Sequence, residues 1–113
     1  MVARNDGKVL VTGSIAGYIP GSFQAVYNST KSFIDYFCDA IRNELKDADG
    51  VQITTLKPGP VDTEFFARGD MLDTSVGDPE SNSRRDPKLV AKDGWDALMS
   101  GKDSIFSGLA TKI

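Results

Sequence analysis

Val11-Thr12-Gly13-Ser14-Ile15-Ala16-Gly17, followed by Tyr27-Asn28-Ser29-Thr30-Lys31, is the part of the 113-residue sequence whose reading decides the fold. The apolar run Val9-Leu10-Val11 ends in a turn of small residues that carries Ser14. A continuous apolar, β-branched run of this kind suits a short, fully buried strand of a parallel sheet. Thirteen residues beyond Ser14, Tyr27 opens a helical pattern, and Lys31 follows four positions later. Residues four apart lie one above the other on a single helix face. A phenol and an ammonium are therefore stacked on one face, and a serine at a strand end can reach them, an arrangement suited to proton transfer.

The flanking residues extend this stretch into a βαβ unit. Residues 8–12 read as the first strand, and 13–22 as a loop containing Pro20 and three glycines. From Phe23 onward Val26, Thr30, Phe33, Ile34, Phe37, Ile41 and Leu45 recur three or four apart, which predicts a helix of about seven turns. Ser22 is placed to cap its start, and Gly50 to supply a left-handed residue past its end. Residues 51–56 form a second strand, broken by Lys57-Pro58-Gly59-Pro60. Strand, helix, strand in this order implies a parallel pair joined by a right-handed crossover.

After Pro60 the chain turns polar. Residues 62–68 suit a short helix capped by Asp62 or Thr63, and 73–86 read as a long mobile loop rich in Asp, Ser, Asn, Gly and Pro. Asp86-Pro87 is a helix start, a capping side chain followed by proline at the first helical position. The helix it opens carries Leu89, Val90, Ala91, Trp95, Leu98 and Met99 and stops at Gly101; Ser104-Ile105-Phe106-Ser107 then suits a last short strand. The fold class expected is α/β, a partial doubly wound parallel sheet, in a single domain spanning 1–113.

Composition removes several classes of function. A net charge of −3 with no basic cluster larger than Arg84-Arg85 argues against nucleic acid, which calls for a basic stripe. No apolar run approaches the roughly 18 residues that span a bilayer, and the start lacks the apolar core of a signal peptide. One cysteine, Cys38, excludes an internal disulfide and fits a reducing cytoplasm. With no histidine and one cysteine, no metal site is expected.

Each candidate residue has an ordinary structural role beside the chemical one. Taken alone, Tyr27 and Lys31 fit a helix with the tyrosine in the core and the lysine extending to water. Ser14 could satisfy a loop backbone group, and Pro58-Gly59 could be only a turn. Cys38 and Trp95 read as packing residues, and Arg84-Arg85 as a solvated loop pair.

Together, though, Thr-Gly-Ser-Ile-Ala-Gly at 12–17, Tyr27-x-x-x-Lys31 and Pro58-Gly59-Pro60-Val61-Asp62-Thr63 resemble the signature of the short-chain dehydrogenase/reductase family, closely over residues 7–68. The resemblance implies the C-terminal half of a Rossmann-like NAD(P)-binding fold and hydride transfer between nicotinamide and an alcohol or carbonyl substrate. Tyr27 would exchange the proton, Ser14 would hold the reacting oxygen, and Lys31 would supply positive charge beside the phenol and bond the nicotinamide ribose. Pro58, Gly59 and Val61, through backbone groups, and the Thr63 hydroxyl would meet the cofactor, NAD or NADP. Residues 73–86 would form the variable substrate loop, and the 23–47 helix would serve homo-oligomerisation. The family's glycine-rich phosphate turn, G-x-x-x-G-x-G, does not occur in this sequence, so a truncated form that is inactive by itself is expected. The rival readings are a non-catalytic remnant that only folds or associates with a partner, and a sugar-nucleotide epimerase that shares Tyr-x-x-x-Lys.

Overall fold

The computed structural model describes residues 1–18, 23–59 and 85–108. Three parallel strands, β1 (Gly7–Thr12), β2 (Val51–Pro58) and β3 (Ser104–Ser107), form one sheet in the order β1-β2-β3. Among the described residues two α-helices accompany them, α1 (Ala25–Glu44) and α2 (Pro87–Met99), with a 3-10 turn at Ile15–Tyr18 after β1. The register sets Thr12 opposite Leu56 and Pro58 opposite Ser107.

Strand periodicity sends the helices to opposite faces. Arg42 of α1 donates to the Ile53 carbonyl (2.8 Å) and to the Thr55 hydroxyl (2.6 Å). Leu56, the next residue, points the other way. There a Cβ on Gly94 of α2 would lie 3.0 Å from Leu56 Cδ2 and 3.1 Å from Leu10 Cδ2. Glycine at 94 lets α2 seat directly on the sheet. Leu56, Val90, Ala97 and Leu98 form the buried centre of that layer, and Cys38 is buried in α1, in keeping with a packing role.

The most deeply buried side chains are hydroxyls, and each has a partner. Thr54 donates to the Lys102 carbonyl (2.6 Å), Thr55 accepts from Arg42, and Ser107 donates to the Asp93 carboxylate (2.8 Å). Left unpaired, each would cost roughly 1–3 kcal/mol.

Several sequence expectations need correction. β1 is half-buried rather than fully buried, with Lys8 and Thr12 exposed, because among the described residues only β2 pairs with it. β2 continues through Lys57 and Pro58 instead of breaking there. Thr55 N and Gly59 N donate toward β3, to the Asp103 and Ser107 carbonyls. By strand alternation Pro58 turns its nitrogen toward the β1 side, where the ladder already ends at Thr12, so the missing N–H costs nothing.

The long helix starts at Ala25 behind Gln24, which makes no side-chain cap; Ser22 lies outside the described residues. It ends at Glu44, capped by Leu45, well before Gly50; Leu45 N donates to the Ile41 carbonyl and Lys46 N to the Asn43 carbonyl. Gly50 serves close approach instead, since a Cβ there would stand 1.8 Å from the Asn5 carbonyl oxygen. Asn5 at φ 49° donates to Asp49 and accepts from Gly50 N, tying the starts of β1 and β2. Trp95 is 60 % exposed rather than core, and Val26, Phe33 and Phe37 of α1 are exposed as well.

The second helix follows its sequence signals. Asp86 accepts from Lys88 N at 2.9 Å with Pro87 in the first turn, and Gly101 stands past the end at φ 76°. The expected helix at 62–68 and loop at 73–86 lie outside the described residues, apart from Arg85 and Asp86. No helix among the described residues is long and apolar enough to cross a membrane.

Candidate active site

Parallel pairing brings the sequence-predicted residues to one edge of the sheet. Thr12 faces Leu56, so Ser14 and Pro58, each two residues further on, leave the carboxyl edge side by side. Open α/β sheets bind ligands at that edge. Gly13 N donates to the Leu56 carbonyl at 2.7 Å and fixes the point at which the chain departs β1. Ser14 is buried; its hydroxyl accepts from Ala16 N (3.1 Å) and its carbonyl from Gly17 N (3.2 Å), which folds the 3-10 turn.

α1 presses on this turn. A Cβ on Gly17 would lie 2.9 Å from Asp35 Oδ2 and 3.1 Å from the Lys31 carbonyl carbon and oxygen. The Ser32 hydroxyl also donates to the Gly17 carbonyl. Only glycine at 17 allows the helix to bring Lys31 this near the strand end. Lys31 Nζ reaches the Thr12 carbonyl oxygen at 3.5 Å and lies 5.7 Å from the centroid of the Tyr27 ring. Helix and strand thus bring Lys31 to Tyr27 directly, and to the strand end two residues before Ser14.

Pro58 and Gly59 stand at the end of β2 on the same edge, with Gly59 N donating to the Ser107 carbonyl at 3.0 Å. Val61 and Thr63, the other expected cofactor contacts, lie outside the described residues. Among the described residues no group of three potential metal ligands occurs.

Two features escaped the sequence reading. Asp35 continues the four-residue spacing of Tyr27 and Lys31 and brings a carboxylate against Gly13 and Gly17. Its Oδ1 is buried without a hydrogen-bond partner. Burial raises its pKa above the usual carboxylate value, the charge of Asp39 adds to the rise, and the cations Lys57 and Arg42 oppose it. The spacing was the available signal, but an acid within an apolar helical pattern resembles a solvated position. The second feature corrects the reading of Arg85 as a solvated loop residue: its guanidinium pairs with Asp93 at 3.0 Å, both side chains about two-thirds buried or more.

Comparison with known proteins bears on the fold and the family. A family model described as short chain dehydrogenase matches residues 1–71. The chain belongs to the short-chain dehydrogenase family. It is 30 % identical over 109 residues to the dehydrogenase/reductase SDR family member 7B of Rattus norvegicus, covering 94 % of this chain and 33 % of that protein. Over 66 residues it is 44 % identical to the NADP-dependent 3-hydroxy acid dehydrogenase of Schizosaccharomyces pombe, covering 56 % of this chain and 24 % of the relative. The closed form of a serine dehydrogenase complexed with NADP+ superposes with a TM-score of 0.77 at 27 % identity, covering all of this chain and 48 % of that one. The chain spans about a third of the length of the family member 7B relatives. Its three parallel strands and their helices are a partial Rossmann-like sheet of this family.

Proposed function

We propose that this segment is the proton-transfer half of an NAD(P)-dependent oxidoreductase that interconverts an alcohol and a carbonyl. The observation that carries the reading is the stacking of Lys31 over Tyr27 at 5.7 Å, beside the strand end that bears Ser14. In this reading the Tyr27 hydroxyl gives its proton to a carbonyl oxygen in reduction and takes it back in oxidation. The Lys31 ammonium, on the same helix face as the phenol, would favour the negative charge that develops on Tyr27 during proton transfer. Ser14, turning its hydroxyl from Ala16 N, would donate to the substrate oxygen and orient it.

The residues present fit the nicotinamide end of a dinucleotide. An ammonium has three N–H donors, and the long bond to Thr12 O occupies one, which leaves Lys31 able to bond a ribose hydroxyl. Pro58 and Gly59 bring backbone to the same edge, and Val61 and Thr63 follow in sequence as further contacts. When bound there, the cofactor supplies the hydride. The phosphate turn is absent from the sequence, so affinity spread over the whole dinucleotide is only partly available. The isolated 113-residue chain is expected to bind NADH or NADPH at best in the millimolar range and to be inactive alone.

The likeness to a 3-hydroxy acid dehydrogenase and a serine dehydrogenase favours NADP and a small hydroxylated substrate. The exposed Val26, Phe33, Tyr36 and Phe37 of α1 support pairing of two copies through that helix in the complete protein. The buried, unpaired Cys38 supports a reducing, cytoplasmic setting. The test is nicotinamide-dependent turnover by the complete enzyme containing this segment, with a panel of small carbonyl substrates. Turnover abolished by Tyr27→Phe is expected; a complete enzyme with no such turnover would leave the non-catalytic reading.

A further inference from the structure

We propose that Asp93 is a positioning residue for the cofactor-facing turn at Pro58-Gly59, acting through Ser107. The inference rests on the reading of that turn given above and adds a group the chemistry does not touch.

A single oxygen carries the arrangement. Asp93 Oδ2 accepts from the Ser107 hydroxyl at 2.8 Å and from Arg85 Nη2 at 3.0 Å. Ser107 is the last residue of β3 and is 1 % exposed. Its carbonyl in turn accepts from Gly59 N at 3.0 Å, one residue beyond the end of β2. β3 is only four residues long, so its end has few ladder bonds to hold it. The side-chain bond to α2 supplies the missing restraint. Asp93 thus fixes Ser107, and Ser107 fixes the backbone of Gly59. Arg85 immediately precedes the α2 cap Asp86, so the same carboxylate also pins the end of the segment that leads into α2.

A merely structural carboxylate would loosen the whole domain when removed. A positioning one loosens a single place. The expected change is about tenfold, which converts to about 1.4 kcal/mol, the scale on which a hydrogen bond to a charged group acts. In Asp93→Ala, and separately in Ser107→Ala, the Gly59 amide is expected to exchange with solvent about tenfold faster. The Gly13 amide, bonded to Leu56 O on the opposite side of β2, should stay within about twofold. The double variant should be no faster at Gly59 than the faster single one, because both remove the same bond. If Asp93→Ala fails to fold, Ser107→Ala decides alone, since it keeps the backbone acceptor and loses only the hydroxyl.

In the complete enzyme the same variants should raise the cofactor KM about fivefold with kcat within about twofold, the signature of lost uniform binding. Unchanged exchange at Gly59, or faster exchange without a change in cofactor KM, overturns the proposal while Tyr27-dependent turnover remains. A wild-type enzyme without nicotinamide-dependent turnover overturns the reading of the turn, and local exchange at Gly59 then reports the Asp93–Ser107 restraint by itself.

Discussion

Lys31 Nζ reaches the carbonyl oxygen of Thr12 at 3.5 Å, so the helix that carries Tyr27 is tied to the strand that delivers Ser14. The consequence is a graded set of variants in the complete enzyme. Tyr27→Phe keeps the ring and removes the exchangeable proton, and turnover should fall to below a hundredth of wild type while the fold survives, a contribution typical of general acid–base groups, about 10²–10⁴. Lys31→Met should also cut turnover heavily, because the variant loses the ammonium beside the phenol. Ser14→Ala should cost roughly 10²–10³ if the hydroxyl acts as an oxyanion donor. The pH–rate profile of each variant checks the set, and Tyr27→Phe retaining more than about a tenth of wild-type turnover would show the tyrosine to be only a packing residue.

Gly17 and Gly94 both sit at close approaches, yet they should respond differently to alanine. At Gly17 the new Cβ meets the Lys31 backbone at 3.1 Å, which cannot yield without moving α1. A loss of about 1–3 kcal/mol is expected, together with reduced turnover, because Ser14 and Lys31 part. At Gly94 the neighbours are the methyl ends of Leu56 and Leu10, at 3.0 and 3.1 Å, which can shift. Alanine also gains up to about 1 kcal/mol of helix propensity there, so the net change should stay within about 1 kcal/mol. Urea midpoints with unchanged m-values distinguish the two; equal losses would mean that the sheet face is as unyielding as the helix backbone.

Arg42 joins α1 to β2 and β3. Its guanidinium serves Ile53 O, Thr55 Oγ1 and Asp103 O, at 2.8, 2.6 and 2.6 Å, and its side chain is only 16 % exposed. The carboxylates beside it, Asp39 and Asp103, are largely exposed and add little. Arg42→Met should cost about 2–4 kcal/mol, chiefly from the Ile53 carbonyl and the buried Thr55 hydroxyl, which lose the guanidinium donor, whereas Asp103 O keeps its bond from Thr55 N. Arg42→Lys should recover less than half of that, because one ammonium cannot span three acceptors on two strands. Asp39→Asn, by contrast, should shift the denaturation midpoint barely at all.

The parts of this molecule legible in the sequence are those set by local chemistry. Asp86-Pro87 announces α2 because capping and the fixed proline φ act within one turn. The parallel pairing of β1 with β2 and the shared edge of Ser14 and Pro58 follow from a βαβ unit, which leaves few topologies open. The misread parts depend on residues distant in the chain. Gly50 looks like a helix stop, but its role is set by Asn5, forty-five positions away. Arg85 looks solvated until α2 brings Asp93 beside it, and Trp95 looks like core until the face of α2 that meets the sheet is known. Tyr27 and Lys31 were legible because four-residue spacing is a property of the helix itself. Asp35, on the same spacing, matters only through the glycines packed against it.

Asp35 gives a prediction whose sign follows from burial. Burial is the larger cause of its raised pKa, with the repulsion of Asp39 added, and the attraction of Lys57 and Arg42 does not cancel them. Its Oδ1 has no hydrogen-bond partner, so the ionised form loses hydration without replacement. The unfolded chain titrates near the ordinary value of 3.8, below the folded one. Between those two values the folded state holds more proton than the unfolded state, so stability declines as pH rises through that window and stays lower above it. Asp35→Asn keeps the shape and cannot ionise. Relative to wild type it should therefore gain stability as pH climbs from acid to neutral, with the whole gain developed once pH exceeds the folded pKa. Urea unfolding of both proteins across this range measures the difference directly. If Asp35→Asn instead loses ground as pH rises, the attraction of Lys57 outweighs burial and the carboxylate belongs to a stabilising pair.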